Sequence, residues 1–256
     1  MRDVALPRGC AGCDAPDAVL CPACRALFAG AVAFPAPRTA MGEGFACASY
    51  RGAVRRAVLG WKDHGDEECD GVFAELLGAL AVGVLDRHAV SATGAGPYAS
   101  PAGRVGDPVA RRAAERGPRS DRGRSPLLVV PAPSSASSMR RRGRWHMRPL
   151  ARAVARRLRD YGTPAVMAPA LRSVHVRGRS VETATAAERA ARVGGRVAVR
   201  PGMALRGRDV VVVDDIVTTG ATVRQCCAAL ARAGARVVTC LALARTPEPG
   251  RDSSSA

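Results

Sequence analysis

Val210-Val-Val-Val-Asp-Asp-Ile-Val-Thr-Thr-Gly-Ala-Thr222 decides how the rest of this chain is read. Four consecutive valines predict a strand buried on both faces. Asp214 and Asp215 then place two carboxylates at its carboxyl end, where open α/β sheets bind their ligands. The hydroxylic loop 218–222 follows, and residues 223–233 have a helical pattern closed by Gly234 as the C-terminal cap. A loop that opens a helix offers free backbone N–H groups and the positive end of the helix dipole, which together favour a phosphate. Thr218, Thr219 and Thr222 add hydroxyl donors, and the two carboxylates can accept from sugar hydroxyls. The segment therefore has the shape of a ribose 5-phosphate site. A core strand followed by a threonine N-cap would explain the valines and one threonine, but not two adjacent carboxylates.

A second anion site is read upstream. Residues 127–130 are an apolar strand that runs into Pro131-Ala-Pro133-Ser134-Ser135, then the basic loop Arg140-Arg-Arg142-Gly143-Arg144 and a helix over 146–161. Clustered guanidinium groups can neutralise a pyrophosphate. An exposed arginine-rich loop in an arginine-rich chain is the competing reading.

The remaining elements are simpler. Residues 54–61 fit a helix with Val54, Val58 and Trp61 on one face, and 72–85 fit another. Residues 165–171 and 236–243 read as strands, and 172–200 as polar with a helical patch near 188–193.

The cysteines carry independent information. Cys10-x2-Cys13 and Cys21-x2-Cys24 are two knuckles seven residues apart, the spacing of a structural zinc site with four thiolate ligands. The surrounding segment has little core of its own, so the metal is expected to fold it. Cys47, Cys69, Cys226, Cys227 and Cys240 lack ligand spacing, and the last three read as small buried residues.

Composition bounds the partners. The 256 residues carry a formal net charge of +17, which by itself points to nucleic acid. Yet Lys62 is the only lysine, Ile216 the only isoleucine and Gln225 the only glutamine, and asparagine is absent. That is the residue usage of a GC-rich genome, so the arginine excess reads either as codon bias or as a nucleic-acid-binding surface. A lysine kept against that bias hints that a compact ammonium is needed at position 62, with chance retention as the alternative. There is no signal-peptide pattern and no apolar run long enough to span a bilayer, so a cytoplasmic protein without membrane insertion is expected.

The organisation expected is a four-cysteine head at 1–30, a linker and N-terminal core helices at 31–90 (31–45 being rich in Pro and Gly), and a disordered basic insert at 91–125. The main domain follows at 126–245, with a disordered tail at 246–256. The insert reads either as a passive linker or as a nucleic-acid arm.

The segment 210–222 resembles the phosphoribosyl pyrophosphate (PRPP) motif of type I phosphoribosyltransferases. The cysteine head, Tyr50-Arg-Gly52 with Trp61-Lys62, the Pro-Ala-Pro turn with Arg142-Gly143, and that motif stand in an order similar to the ComF family and its GntX-type relatives. The resemblance implies an α/β fold: a type I phosphoribosyltransferase-like parallel sheet flanked by helices, with a small zinc-ribbon-like head. It implies PRPP bound through Asp214, Asp215, Thr218, Thr219, Gly220, Ala221, Thr222, Pro133, Ser134, Arg142 and Gly143, with Mg2+ accompanying it and structural Zn2+ on Cys10, Cys13, Cys21 and Cys24. Two functions stay open. One is transfer of the phosphoribosyl group to a nitrogenous acceptor with release of pyrophosphate. The other is a non-catalytic module in DNA uptake or utilisation that binds single- or double-stranded DNA or the uptake machinery. The chain departs from the family where Arg144-Trp145-His146 replaces Phe-Asn-Gln, and around Arg177, Arg179, Arg189 and Arg192, where the family's Gln and Asn are missing.

Overall fold

The alternation of the valines organises the whole molecule. In the computed structural model, which describes residues 8–92, 125–174 and 196–247, they lie on β7 (Asp209–Val217) at the centre of a six-stranded sheet. Side chains on a strand alternate between its faces. Val211 and Val213 enter one apolar cluster and Val210 and Val212 the other, all four fully buried.

The sheet runs β1 (Val32–Pro35), β2 (Glu43–Ser49), β8 (Arg236–Arg245), β7, β3 (Leu127–Pro131), β4 (Ala165–Met167). Every pairing is parallel except β1 with β2. One face is covered by α2 (Gly52–Asp63), α3 (Cys69–Ala92) and α5 (Met147–Asp160). Helix α5 shows why: Met147, Leu150, Ala151, Val154, Ala155 and Leu158 are buried at helical spacing, with arginines between them. The other face carries α6 (Ala221–Arg232) and a two-stranded antiparallel unit, β5 (Leu171–Val174) with β6 (Arg196–Val199). Gly234, at φ +79°, follows α6 in the left-handed conformation expected of a helix stop.

Several local expectations are corrected. Strand β7 continues through the carboxylates to Val217, because Asp214 still pairs with Ala242 and Val217 with Arg245. The stretch 165–171 is two strands in different sheets, separated by Ala168-Pro169-Ala170. The stretch 31–45, read as a linker, supplies β1 and the start of β2 at the sheet edge. The basic loop is a short helix, α4 (Ala136–Arg142). Ser135 caps it by accepting the Ser138 N–H at 3.1 Å, and Gly143, at φ +69°, ends it. Nearly all of 91–125, the helical patch at 188–193, Arg177, Arg179, Arg189, Arg192 and most of the tail lie outside the described residues.

The cysteine head, which includes α1 (Pro22–Ala26), is not a free appendage. Leu20, Cys24 and Phe28 enter the same apolar cluster as Trp61 and Phe73, and the rings of Phe28 and Phe73 lie 5.5 Å apart. Arg56 donates to the Gly12 carbonyl at 2.6 Å, and Arg8 pairs with Asp66 at 2.6 Å. The head is therefore built onto α2 and the turn that leads into α3.

Candidate functional site

Strands β3 and β7 run parallel, so their carboxyl ends open on the same side of the sheet. A cavity of about 690 Å³ lies there. From β7 and the loop after it come Asp214, Asp215, Thr218, Ala221 and Thr222. From the turn after β3 and α4 come Pro133, Ser134 and Arg142. Thr219 and Gly220 line a smaller pocket that shares Asp214, Thr218, Ala221 and Thr222. Gly143 is not among the lining residues; its part is the left-handed stop of α4. The two stretches read separately from sequence thus meet in one cavity. Their wall is completed by residues not singled out as ligands, among them Lys62, Asp63, Tyr50 and His146, with Ser173 and Val197 from β5 and β6.

Gly220 takes φ +70° as the N-cap of α6, which turns the chain sharply from strand to helix. Ala221 N–H meets the Thr219 hydroxyl at 3.4 Å. The first turn of α6 contains no acidic residue of its own, which favours an anion at that end of the dipole, and Asp214 stands across the same small pocket.

The acidic pair is not equivalent. Asp215 accepts from Lys62 Nζ at 2.9 Å (Oδ1), from His146 Nε2 at 2.6 Å and from Ile216 N–H at 2.6 Å, and the same ammonium lies 2.8 Å from Oδ2 in an ion pair. Burial pushes its carboxyl up, but His146 and Lys62 outweigh that and hold it at about 2. Asp214, also buried, accepts the Asp215 N–H at 2.9 Å. Burial first, and the neighbouring Asp215 charge second, push it up to about 8.

Around this pair the residues that depart from the ComF pattern have work to do. His146, 1% exposed, stands edge-on to Trp61 with ring centres 4.9 Å apart. Arg144 Nη1 donates to both oxygens of Asp70, at 2.8 and 3.0 Å, and Trp61 Nε1 donates to the same carboxylate at 2.5 Å. These bonds fix the end of α2 that carries Lys62. Sequence reading flagged Lys62 only through its rarity and saw His146 as a departure. No spacing rule links positions 62, 146 and 215.

At the other end of α2, the four Sγ atoms of Cys10, Cys13, Cys21 and Cys24 lie within 4.8 Å of one another. A tetrahedral thiolate site with metal–sulfur bonds of about 2.3 Å spaces its sulfurs about 3.8 Å apart. The Cys13 and Cys21 sulfurs are 3.6 Å apart. Gly12 and Cys21 direct backbone N–H groups at Cys10 Sγ from 3.4 and 3.3 Å. Burial pushes the Cys10 thiol up, but such N–H donors outweigh it and bring it down to about 6, which favours the thiolate. A Cβ at Gly12 would lie 2.7 Å from Cys24 Sγ, so only glycine fits there. The donor set fits a tetrahedral metal ion.

Residues 148–255, less than half of the chain, match the phosphoribosyl transferase domain, and a phosphoribosyltransferase domain is therefore present. Together with the parallel sheet, the flanking helices and the cysteine cluster, this is the fold class expected from sequence. Among solved structures, the chain is similar to hypoxanthine phosphoribosyl transferase of Trypanosoma cruzi at 13% identity, over 73% of this chain and 71% of that one, with a TM-score of 0.36. A Thermus thermophilus protein is similar at 21% identity over 56% and 84%, with a TM-score of 0.26. An allosteric regulatory enzyme of purine biosynthesis is similar at 21% over 53% of this chain, with a TM-score of 0.29, and the match spans only 24% of that enzyme's length. Scores this low leave the domain match and the site geometry to carry the assignment. No curated relative matches the chain. Among the described residues, no helix is long and apolar enough to cross a membrane.

Proposed function

We propose that the cavity binds PRPP or a related ribose 5-phosphate ligand, in a ComF-type protein whose cysteine head holds a structural zinc ion. The observation that carries this reading is the convergence on one cavity of the threonine loop opening α6, the buried Asp214 and the serine- and arginine-bearing α4. The loop N–H groups and hydroxyls receive the 5-phosphate. Asp214 accepts from the ribose hydroxyls. Arg142, with Ser134 and its neighbours, faces the pyrophosphate. Mg2+ would neutralise charge on that pyrophosphate. The cavity carboxylates Asp214 and Asp63 are the hard oxygen donors it needs, and Asp63 is already shared with Arg142 at 2.9 Å. The reaction such a site serves is displacement of pyrophosphate by a nitrogenous acceptor, in which placement and charge do most of the work. The order of cysteine head, Tyr50-Arg-Gly52, Trp61-Lys62, Pro-Ala-Pro turn and motif supports the ComF type.

Calorimetry checks this directly. Wild-type protein should release heat with PRPP in the presence of Mg2+. Asp214→Ala should weaken binding about ten- to a hundredfold, the value of hydrogen bonds to a charged acceptor. Silence from wild type would remove the site assignment. Pyrophosphate release on adding single nucleobases then separates the two functional classes: release with one base makes the chain an enzyme, and a flat response makes it a binding module.

The module reading has one observation in its favour. Arg148, Arg152 and Arg156 are exposed at four-residue spacing along α5, a cationic stripe suited to a phosphate backbone. If the stripe binds DNA, log affinity should fall with log salt at a slope of about −2 for single strands, three contacts at about −0.7 each. Replacing the three arginines with alanine should flatten that slope, as read by fluorescence anisotropy. An unchanged slope would clear the stripe of DNA contact.

A further inference from the structure

We propose that Lys62 is a ligand-binding cation on the pyrophosphate side of the cavity, and that Asp215 is the positioning residue that holds it there and not a sugar ligand. The assignment rests on the reading of the cavity as a PRPP site and divides the acidic pair into two jobs.

The first argument is a count of lone pairs. A carboxylate offers about four acceptor positions. Asp215 spends three of them on hydrogen bonds from Lys62, His146 and the Ile216 N–H, and the Lys62 ammonium also stands 2.8 Å from its second oxygen. Its side chain is 7% exposed. About one position is left, too few for a pair of ribose hydroxyls. Among the described residues, Asp214 accepts one hydrogen bond, from the Asp215 N–H, so it keeps acceptor capacity toward the cavity.

The second argument is what surrounds Lys62. An ammonium has three donor hydrogens and, among the described residues, pairs with one carboxylate, Asp215. Its side chain is 21% exposed and lines the cavity. A lysine that served only to neutralise Asp215 would not need that exposure, since His146 already donates to the same oxygen from a fully enclosed position. The wedge of Trp61 against His146, and the Asp70–Arg144 pair behind Trp61, brace the helix end so that the ammonium is presented in one place. In a chain that uses arginine everywhere else, the compact ammonium suits a slot between a buried carboxylate and a ligand.

The third argument fixes which end of the ligand it meets. The adjacent Asp63 pairs with Arg142 at 2.9 Å and with Arg141 at 3.8 Å. The end of α2 that carries Lys62 is thus tied to α4, and Lys62 lines the same cavity as Arg142 and Ser134, which mark the side assigned to pyrophosphate. The phosphate loop before α6 is a separate wall.

The test compares two ligands that differ only in the pyrophosphate. Wild type, Lys62→Met and Lys62→Arg are titrated by calorimetry with Mg2+-PRPP and with ribose 5-phosphate, after thermal melts establish that each is folded. Lys62→Met should weaken PRPP at least about tenfold and ribose 5-phosphate by less than about twofold. Lys62→Arg, which keeps the charge but moves it, should fall between wild type and Lys62→Met for PRPP. A merely structural role would weaken both ligands alike, and that result, or no loss for PRPP, overturns the assignment. Should Lys62→Met fail to fold, the same comparison on Lys62→Arg decides, with equal loss on both ligands as the contrary outcome. If wild type binds neither ligand, the functional reading falls and takes this assignment with it. If wild type binds both and the variants do too, only this assignment falls.

Discussion

Replacing Cys24 with serine, or stripping metal with a chelator, is expected to cost the chain most of its stability. A structural zinc in a four-thiolate site contributes about 10–16 kcal/mol to the folding of small metal-dependent units. A whole domain is stable by only about 5–15 kcal/mol. Here the four-cysteine head is not separable from the core. Cys24 is 4% exposed inside the apolar cluster that holds Phe28, Phe73 and Trp61. Loss of the cluster therefore exposes a face of α2 and α3 as well as the head. Thermal melting of the as-purified protein should show one zinc per chain by mass spectrometry and a midpoint that drops by more than about 10 °C on chelation, at about 2–4 °C per kcal/mol for a chain of this size. Cys24→Ser should reproduce the drop without chelator. Cys47→Ala, at a buried thiol that shares the apolar cluster but not the four-cysteine group, should lower the midpoint by only a few degrees and leave any bound metal in place. Helix α2 gives the loss a second readout. The Gly12 carbonyl grips Arg56 near one end of that helix, and Lys62 stands at the other end, in the cavity. Metal-free protein that remains folded should bind the cavity ligand less tightly. A wild type that carries no metal, or a chelated protein that melts unchanged, would remove the structural ion from this account.

How much of this was readable beforehand follows from which forces act locally. The buried strand, the helices at 54–61 and 146–161 and the C-terminal glycine are written in side-chain periodicity and backbone preference, which neighbouring residues settle among themselves. The two stretches read as anion sites stood out for the same reason, since each is one turn with its own donors. Their meeting was an inference from fold class, and the parallel pairing of β3 with β7 supplies it. The partners of Asp215 were not legible. A carboxylate at a strand end has the same local sequence whether it faces a sugar or a lysine 153 positions away. The same holds for Arg144 and His146, which look like lost acceptor contacts in the sequence and become the brace of α2 in three dimensions. Residues 136–142 misled for a smaller reason. Their arginines drew the eye to charge, while the helix was encoded by the Ser135 cap and the Gly143 stop.

The two adjacent aspartates should respond to substitution with opposite signs. Asp214 is raised to about 8 in the folded chain, by burial and by the Asp215 charge. Its unfolded value is about 3.9. Between those two values the folded chain holds a proton that the unfolded chain has released. Stability should therefore fall as pH rises from about 4 to 8. Asp215 is the reverse case. Burial works against its charge, but His146 and Lys62 depress it to about 2, so its contribution is present above about 4 and is lost as pH falls toward 2. Asp214→Asn removes the group that resists charging while keeping its shape. The variant should be more stable than wild type by a few kcal/mol at pH 8, with the gain vanishing near pH 4. Asp215→Asn removes the counter-ion of Lys62 and should cost about 3–5 kcal/mol at neutral pH, the usual result of breaking one side of a buried pair. Denaturant unfolding of both variants and wild type at pH 5, 6.5 and 8 measures all of this in one series. Parallel curves for wild type and Asp214→Asn would mean that Asp214 is already ionised in the folded chain, and equal losses for the two variants would mean that the pair shares one environment. The expected divergence has a functional corollary. If the cavity holds Asp214 protonated when empty, a ligand that brings a cation with it, as Mg2+-PRPP does, should expel that proton, and binding should strengthen as pH rises toward 8.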